Sequence, residues 1–265
     1  MAVYRGLPLF LISLNDLFSI KKVEGLEINP LLLPYVPLVE YFGQAFGESC
    51  EVILHDLTNI EHSIVAIANG HITNRQVGGH ITDFGLEVVH DPQYQDKPFA
   101  VNYPGSTPDR NRILKSSTFF IRDESGTTIG LFCLNQDITD WINAGNLIKQ
   151  FTRFSTAPEP EKAPVSPVLP MVQETFSASV EDTMNNAIER IMADYPVPSQ
   201  RLTIDEKKRI VERLHARGLF VLKGAVGMVA KRLDVSEQTI YRYLREVQSL
   251  RQEQPPLIGP SLPIP

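Results

Sequence analysis

Apolar positions change period twice along the first half of the chain. In residues 30–47, Leu33, Val36, Val39, Phe42 and Phe46 recur at spacings of three and four, which predicts a helix; Pro34 and Pro37 are tolerable only near its first turn. From Glu51 the period is two, giving strands over residues 51–57 and 63–68. Asn69-Gly70 is a hairpin-turn signal leading into His71, Ile72 and Thr73. Residues 82–90 fit a helix, and residues 94–111, with three prolines, read as loop. A long hairpin follows, residues 113–123 and 127–137 about the turn Glu124-Ser125-Gly126. Thr139 or Asp140 then caps a helix through Trp141, Ile142, Leu147 and Ile148 toward Phe151. Strands, a helical middle and a closing hairpin make an α+β domain of about 120 residues, an antiparallel sheet with flanking helices and room for a pocket between them.

The second half is helical. Five prolines in residues 157–170 predict an extended linker. After it, Val180, Met184, Ala187, Ile188 and Ile191 mark one apolar face of a helix over residues 179–193, which packs either on its own domain or on a second copy. Thr203 and Glu206 have the spacing of a capping box, and Gly218 stops the helix they open. In VAKRLDVSEQTIYRYL, residues 229–244, two short helical patterns meet at a turn. Ala230 and Leu233 line the first underside, and Val235, Ile240 and Leu244 the second. Ser236 is placed to cap the second helix. Such a pair is a helix-turn-helix, although Asp234 stands where these turns often carry Gly.

Charge separates this hairpin from an ordinary one. Residues 201–246 hold eleven Lys or Arg and six Asp or Glu, whereas residues 1–200 hold thirteen against twenty-four. A basic segment on an acidic chain is the footprint of a phosphate-binding module, here for double-stranded DNA. The outer face of the second helix supplies Gln238 and Thr239 toward base edges, with Tyr241 beside them. Arg242 and Arg245 reach bases or phosphates, while Lys223, Lys231, Arg232 and the amide region of Ser236 suit phosphates. The apolar run at residues 7–14 is far shorter than a membrane span and lacks a small-residue cleavage site, so no membrane attachment is expected. Cys50 and Cys133 form no paired motif, which favours a reducing cytoplasm.

Candidate chemistry points to binding. His55, His62, His71, His80 and His90 lie within 36 residues, but none has the spacing that puts two imidazoles on one helix face, so neither a metal site nor a cofactor is expected. No nucleophile elbow, P-loop, dinucleotide fingerprint or zinc-protease motif is present, so no catalytic residue is assigned. Only a meeting of His55 with Cys133 can imitate a nucleophile and base. On the last strand Ile129, Leu131, Cys133, Asn135 and Asp137 share a face that turns from apolar to polar, as a pocket end does. His55, Asp56, Asn69, His71, Ser116, Ser117 and Thr118 are its nearest polar candidates. Their plainer role is to satisfy turns and strand ends.

The runs EVILHDL, SIVAIANGHIT and KSSTFFIRDESGTTIGLFCLNQD resemble the PAS-like sensor domain of the YheO-type bacterial transcriptional regulators, and GLFVLKGAVGMVAKRLDVSEQTIYRYL resembles their C-terminal helix-turn-helix. The resemblance implies a cytoplasmic, ligand-responsive DNA-binding regulator; one member controls D-arginine catabolism as a repressor. It narrows the effector site to His55, Asp56, Asn69, Ser117, Asn135 and Asp137. The organisation expected is an N-terminal extension over residues 1–28, a sensor over 29–154, a linker over 155–177, a DNA-binding domain over 178–250 and a Pro-rich tail over 251–265. A homodimer would place two recognition helices about one helical turn of DNA apart. Two other readings fit the same chain: an enzyme or metabolite-binding protein with a basic assembly domain, or an adaptor whose first domain binds a protein.

Overall fold

The computed structural model describes residues 28–108, 111–152, 174–195 and 197–252, with side chains described as far as Val247. Nearly all of the expected N-terminal extension, most of the linker and most of the tail lie outside these residues. The described chain divides into two compact units. One comprises the residues up to Thr82 together with Asp96–Ala178, the other Asp83–Gln95 together with the residues from Ser179 onward.

The first unit is built on a six-stranded sheet of β1 (Cys50–Asp56), β2 (Ile64–Ala68), β3 (Phe99–Ser106), β4 (Ile113–Arg122), β5 (Thr128–Asp137) and β6 (Glu174–Thr175). Its order is β2-β1-β5-β4-β3-β6, and every pairing is antiparallel except β3 with β6. A 3-10 turn over Pro30–Tyr35 leads into α1 (Val36–Phe46), so the prolines of this segment sit in the turn and at the helix start, where no amide is missed. Leu32, Val36 and Val39 pack on Val52, Leu54 and Phe132, covering one face of the sheet with apolar side chains. Gly43 allows the approach, since a Cβ there would lie 2.5 Å from that of Ala68. α3 (Thr139–Phe151) follows β5.

Within this unit three expectations about the strands and turns change. Residues 71–73 form turns instead of a returning strand, because Asn69 takes a left-handed conformation (φ 57°) and its amide donates to Gly43 O, Gly47 O and Cys50 O, tying α1 to β1. Part of the expected loop is β3. Its register shifts around left-handed Asn102, and Pro104 is tolerated because β6 pairs only with Gly105 and Ser106. Residues at the end of the stretch read as linker belong to the sheet: Glu174–Thr175 add β6, and Phe176 is buried against Ile72 and Leu114.

The second unit contains α4 (Val180–Met192), α5 (Ile204–Ala216), α6 (Ala225–Leu233) and α7 (Glu237–Gln252). The apolar face of α4 is buried within its own unit through Met184, Ala187, Ile188 and Ile191, so the face read as a possible dimer surface is covered intramolecularly. Thr203 and Glu206 complete the capping box of α5, and Gly218 beyond it is left-handed (φ 73°). The unit also takes in α2 (Asp83–His90), a helix that the sequence places inside the sensor. Phe84, Leu86, Val88 and Tyr94 are buried here, Asp83 pairs with Arg190 at 3.0 Å, and Glu87 with Arg217 at 3.6 Å.

Candidate effector site and nucleic-acid interface

The second face of the sensor sheet interleaves polar side chains with apolar ones. Period-two alternation puts Glu51, Ile53 and His55 of β1 on one side with Leu131, Cys133 and Asn135 of β5 and Ser116 and Thr118 of β4; the register sets Glu51 beside Asn135 and Asn135 beside Ser116. All of these are buried, Glu51 and Ser116 completely. Thr73 donates to Glu51 Oε2 at 2.5 Å and Asn135 Nδ2 to Glu51 Oε1 at 2.9 Å. Glu174 accepts from Thr82 Oγ1 at 2.6 Å, and Tyr103 shares a 2.7 Å hydrogen bond with Thr118. Arg75 stands over the ring of Phe176 and donates to the His80 carbonyl. Two buried atoms find no protein partner among the described residues: Ser116 Oγ and Asn135 Oδ1.

Burial governs the charges. It raises the Glu51 carboxyl above its ordinary range, opposed by Arg75 and the two side-chain hydrogen bonds. Arg75 is lowered by burial and supported by Glu51 and Glu174. Burial holds His55 well below its usual value, so the ring is neutral, with Nδ1 2.8 Å from Ser63 Oγ. Cys133, bonded by Thr118, is pushed by burial up to about 12, which leaves a thiol rather than a nucleophilic thiolate. His55 is bonded to Ser63 and Cys133 to Thr118 rather than to each other, so the pairing of a nucleophile with a base is not formed here.

Of the six residues singled out for an effector, His55 and Asn135 come together on this face. The other four are engaged elsewhere, in turns, caps and an ion pair. Asp56 accepts from Asn29 N, Thr58 N and Thr58 Oγ1; Asn69 ties α1 to β1; Ser117 Oγ accepts from Asn102 N; Asp137 pairs with Arg112 and accepts from Thr139. Glu51, Thr73, Arg75, Tyr103 and Glu174 were not anticipated. A signal existed for Glu51, a lone carboxylate inside the apolar strand CEVIL, and for Ser116, which shares the parity of Leu114 and Phe120 where Ser117 does not. The clustered histidines disperse: His62 meets the Gly78 carbonyl, His71 is exposed, and His90 belongs to the other unit. Among the described residues no group of three or more His, Cys, Asp or Glu is placed to hold a metal ion.

In the second unit, α6 ends at Asp234, left-handed at φ 52°, a conformation Asp tolerates in place of the more usual Gly. Ser236 Oγ accepts from Thr239 N at 3.2 Å and opens α7. The buried side of α7 is Ile240, Tyr243 and Val247 rather than Val235, Ile240 and Leu244, because the three-four spacing runs on from Ile240. Gln238, Tyr241, Arg242 and Arg245 are exposed on the opposite side, with Lys223, Lys231 and Ser236 exposed nearby and Thr239 half-buried. Arg232 is exposed and paired with Glu189 at 3.1 Å.

Comparison with known proteins covers both regions. Residues 26–153 match the YheO-like PAS domain and residues 183–245 an HTH domain. A Haemophilus influenzae protein is 34% identical over 89% of this chain and 98% of its own length. YheO of Escherichia coli K12 is 32% identical over 83% and 85%, and the transcriptional regulator DauR of Pseudomonas aeruginosa is 25% identical over 83% and 96%. Taken with the sheet and the helix-turn-helix, these matches make the chain a member of the YheO-like family, regulators that join a PAS-like sensor domain to a DNA-binding HTH domain.

Proposed function

We propose that the protein is a cytoplasmic, ligand-responsive transcriptional regulator that binds duplex DNA as a homodimer and acts as a repressor in amino-acid catabolism. The observation that carries the sensor reading is the pair of buried, unpartnered atoms Ser116 Oγ and Asn135 Oδ1 beside the Glu51 carboxyl. A buried polar atom without a partner costs about 1–3 kcal/mol, and an effector that donates to it recovers that loss. The carboxyls of Glu51 and Glu174 outnumber the single guanidinium of Arg75, so a ligand bearing N–H donors and positive charge suits the site, as an amino acid of the D-arginine kind does.

The route to DNA that we favour runs through consecutive residues. Thr82 is bonded to Glu174 in the sensor unit, and the next residue, Asp83, is paired with Arg190 on α4 of the DNA-binding unit. The chain therefore passes between the units at 82/83, 95/96 and 178/179, and an effector that shifts Glu174 pulls directly on α2. On the DNA side, Gln238 and Thr239 approach base edges, Tyr241, Arg242 and Arg245 flank them, and Lys223, Lys231, Arg232 and Ser236 hold phosphates.

A thermal-shift screen of amino acids in both enantiomers, followed by gel shifts with operator duplex, tests the reading. A stabilising ligand that also alters DNA affinity is the expected result. Failure of the folded protein to bind any duplex at low salt would overturn it.

A further inference from the structure

The turn that follows β2 brings a guanidinium with few partners to the polar face. Thr73 donates to Glu51 Oε2, Asn74 is left-handed (φ 59°), and Arg75 lies two residues on, at most about 7 Å of chain from the residue that touches the Glu51 carboxyl. Among the described residues the Arg75 side chain donates one hydrogen bond, to the His80 carbonyl, and stands 5.8 Å from the centroid of the Phe176 ring. A guanidinium has five N–H donors in a fork that fits a carboxylate. Glu51 and Glu174 support its charge from nearby, yet no ion pair among the described residues joins it to either.

Acceptors flank the same ring. A Cβ added to Gly105 would lie 2.8 Å from Phe176 Cε2 and 3.1 Å from Ser116 Oγ, so the Ser116 hydroxyl sits at the ring edge while the guanidinium stands over the ring. Asn135 is opposite Ser116 in the register of β4 and β5, its Oδ1 buried without a partner and its Nδ2 on Glu51 Oε1. Ser116 Oγ, Asn135 Oδ1 and the remaining lone pairs of the Glu51 carboxyl are three neighbouring acceptor groups, matching the three donors of a primary ammonium. A cation alone leaves the Arg75 donors unmet, and an anion alone leaves the acceptors unmet. A molecule bearing both an ammonium and a carboxylate meets both.

We propose that Arg75 reads the carboxylate of the effector while Ser116, Asn135 and Glu51 receive its ammonium, so that the site selects an amino acid over the amine or the acid derived from it. This rests on the polar face being the effector site, and it makes Arg75 a specificity-determining residue. The turn does not need the side chain for its shape: Ile72 N donates to Asn69 O, Arg75 N to Gly70 O, Gly79 N to Gln76 O and Gly78 N to Ile64 O, all through backbone.

Calorimetric titration of the full chain with the common amino acids in both enantiomers, and with the decarboxylated amine and the deaminated acid of each one that binds, tests the assignment. The amine and the acid should each bind about 10- to 100-fold more weakly than the amino acid. Arg75→Gln should weaken the amino acid by that factor and leave the amine unchanged or tighter, erasing the preference; Arg75→Lys should keep part of it, because the charge survives without the fork. Ser116→Ala should weaken amino acid and amine alike. A wild-type protein that binds no amino acid, or binds the amine as tightly, overturns the proposal, and this comparison decides alone should Arg75→Gln fail to fold. A folded Arg75→Gln protein that loses amine and amino acid equally overturns it too. A ligand of another class that occupies this face and alters DNA affinity rejects the assignment and leaves the regulator reading standing, whereas a folded protein that binds no duplex strikes the regulator reading whatever Arg75 selects.

Discussion

The two units have opposite interiors. The DNA-binding unit closes on Ile210, Val211, Leu214, Val229, Leu233 and Ile240; among its described charged side chains Asp83 is buried, paired with Arg190, and the other ion pairs lie nearer the surface. The sensor has such an interior on one sheet face; on the other, Ile53, Leu114, Leu131 and Phe176 are buried together with Glu51, His55, Ser116, Thr118, Asn135 and Glu174. Apolar burial stabilises at about 25 cal/mol per Å², whereas buried polar groups at best offset their own desolvation. The first kind of interior is a scaffold that holds a reading helix still. The second sacrifices stability, as the proposed effector site requires.

That contrast breaks most visibly under truncation. Ile240→Ala should cost about 2–5 kcal/mol of unfolding free energy in urea and abolish DNA binding with it. Outside the core, Gln238→Ala should leave stability unchanged and lose about 1–3 kcal/mol of base discrimination, read by competing operator and random duplexes. Lys231→Ala should instead weaken all duplexes alike and reduce the salt slope by about one. In the polar interior the sign reverses: Ser116→Ala removes an unpartnered hydroxyl, so unfolding free energy should hold or rise by up to about 1 kcal/mol while the thermal response to the effector disappears. A loss of several kcal/mol would mean that the hydroxyl is structural.

Acid sharpens the same comparison. Burial keeps the His55 pKa well below its unfolded value, so folding favours the neutral ring. The stabilisation is complete above the unfolded-state pKa of about 6.5 and drains as pH falls from there toward the folded value. Thermal melts from pH 7 to pH 5 should show this decline in the wild type and a shallower one in His55→Gln.

Much of this was legible in the residues. The period-three-and-four stripe found α1, the alternation found β1, β2, β4 and β5, and Ser236 with its apolar underside found the helix-turn-helix. What periodicity could not supply was the identity of the partner. α3 and α4 are both thirteen-residue helices with an apolar side, yet α4 buries its stripe within its own unit and α3 buries nothing. α2 reads as a sensor helix and packs with the DNA-binding unit, because its exposure is set by Arg190 and Arg217, about 100 residues and more downstream. Of the candidate site, part was visible. His55 and Asn135 share the parity of the buried face, but Arg75 and Glu174 come from a turn and a two-residue strand with no local signature, and Asp56, Asn69, Ser117 and Asp137 are consumed by turns and caps.

Coupling between the buried polar face and α7 is what the proposed function requires. Its most direct test is the affinity of the full chain for operator duplex, titrated at fixed salt with and without a saturating metabolite from the thermal-shift screen. Coupling predicts a change of about 5- to 150-fold that disappears in Ser116→Ala and shrinks in Thr82→Ala, which cuts the bond to Glu174. A metabolite that occupies the sensor and leaves DNA affinity unchanged would contradict it.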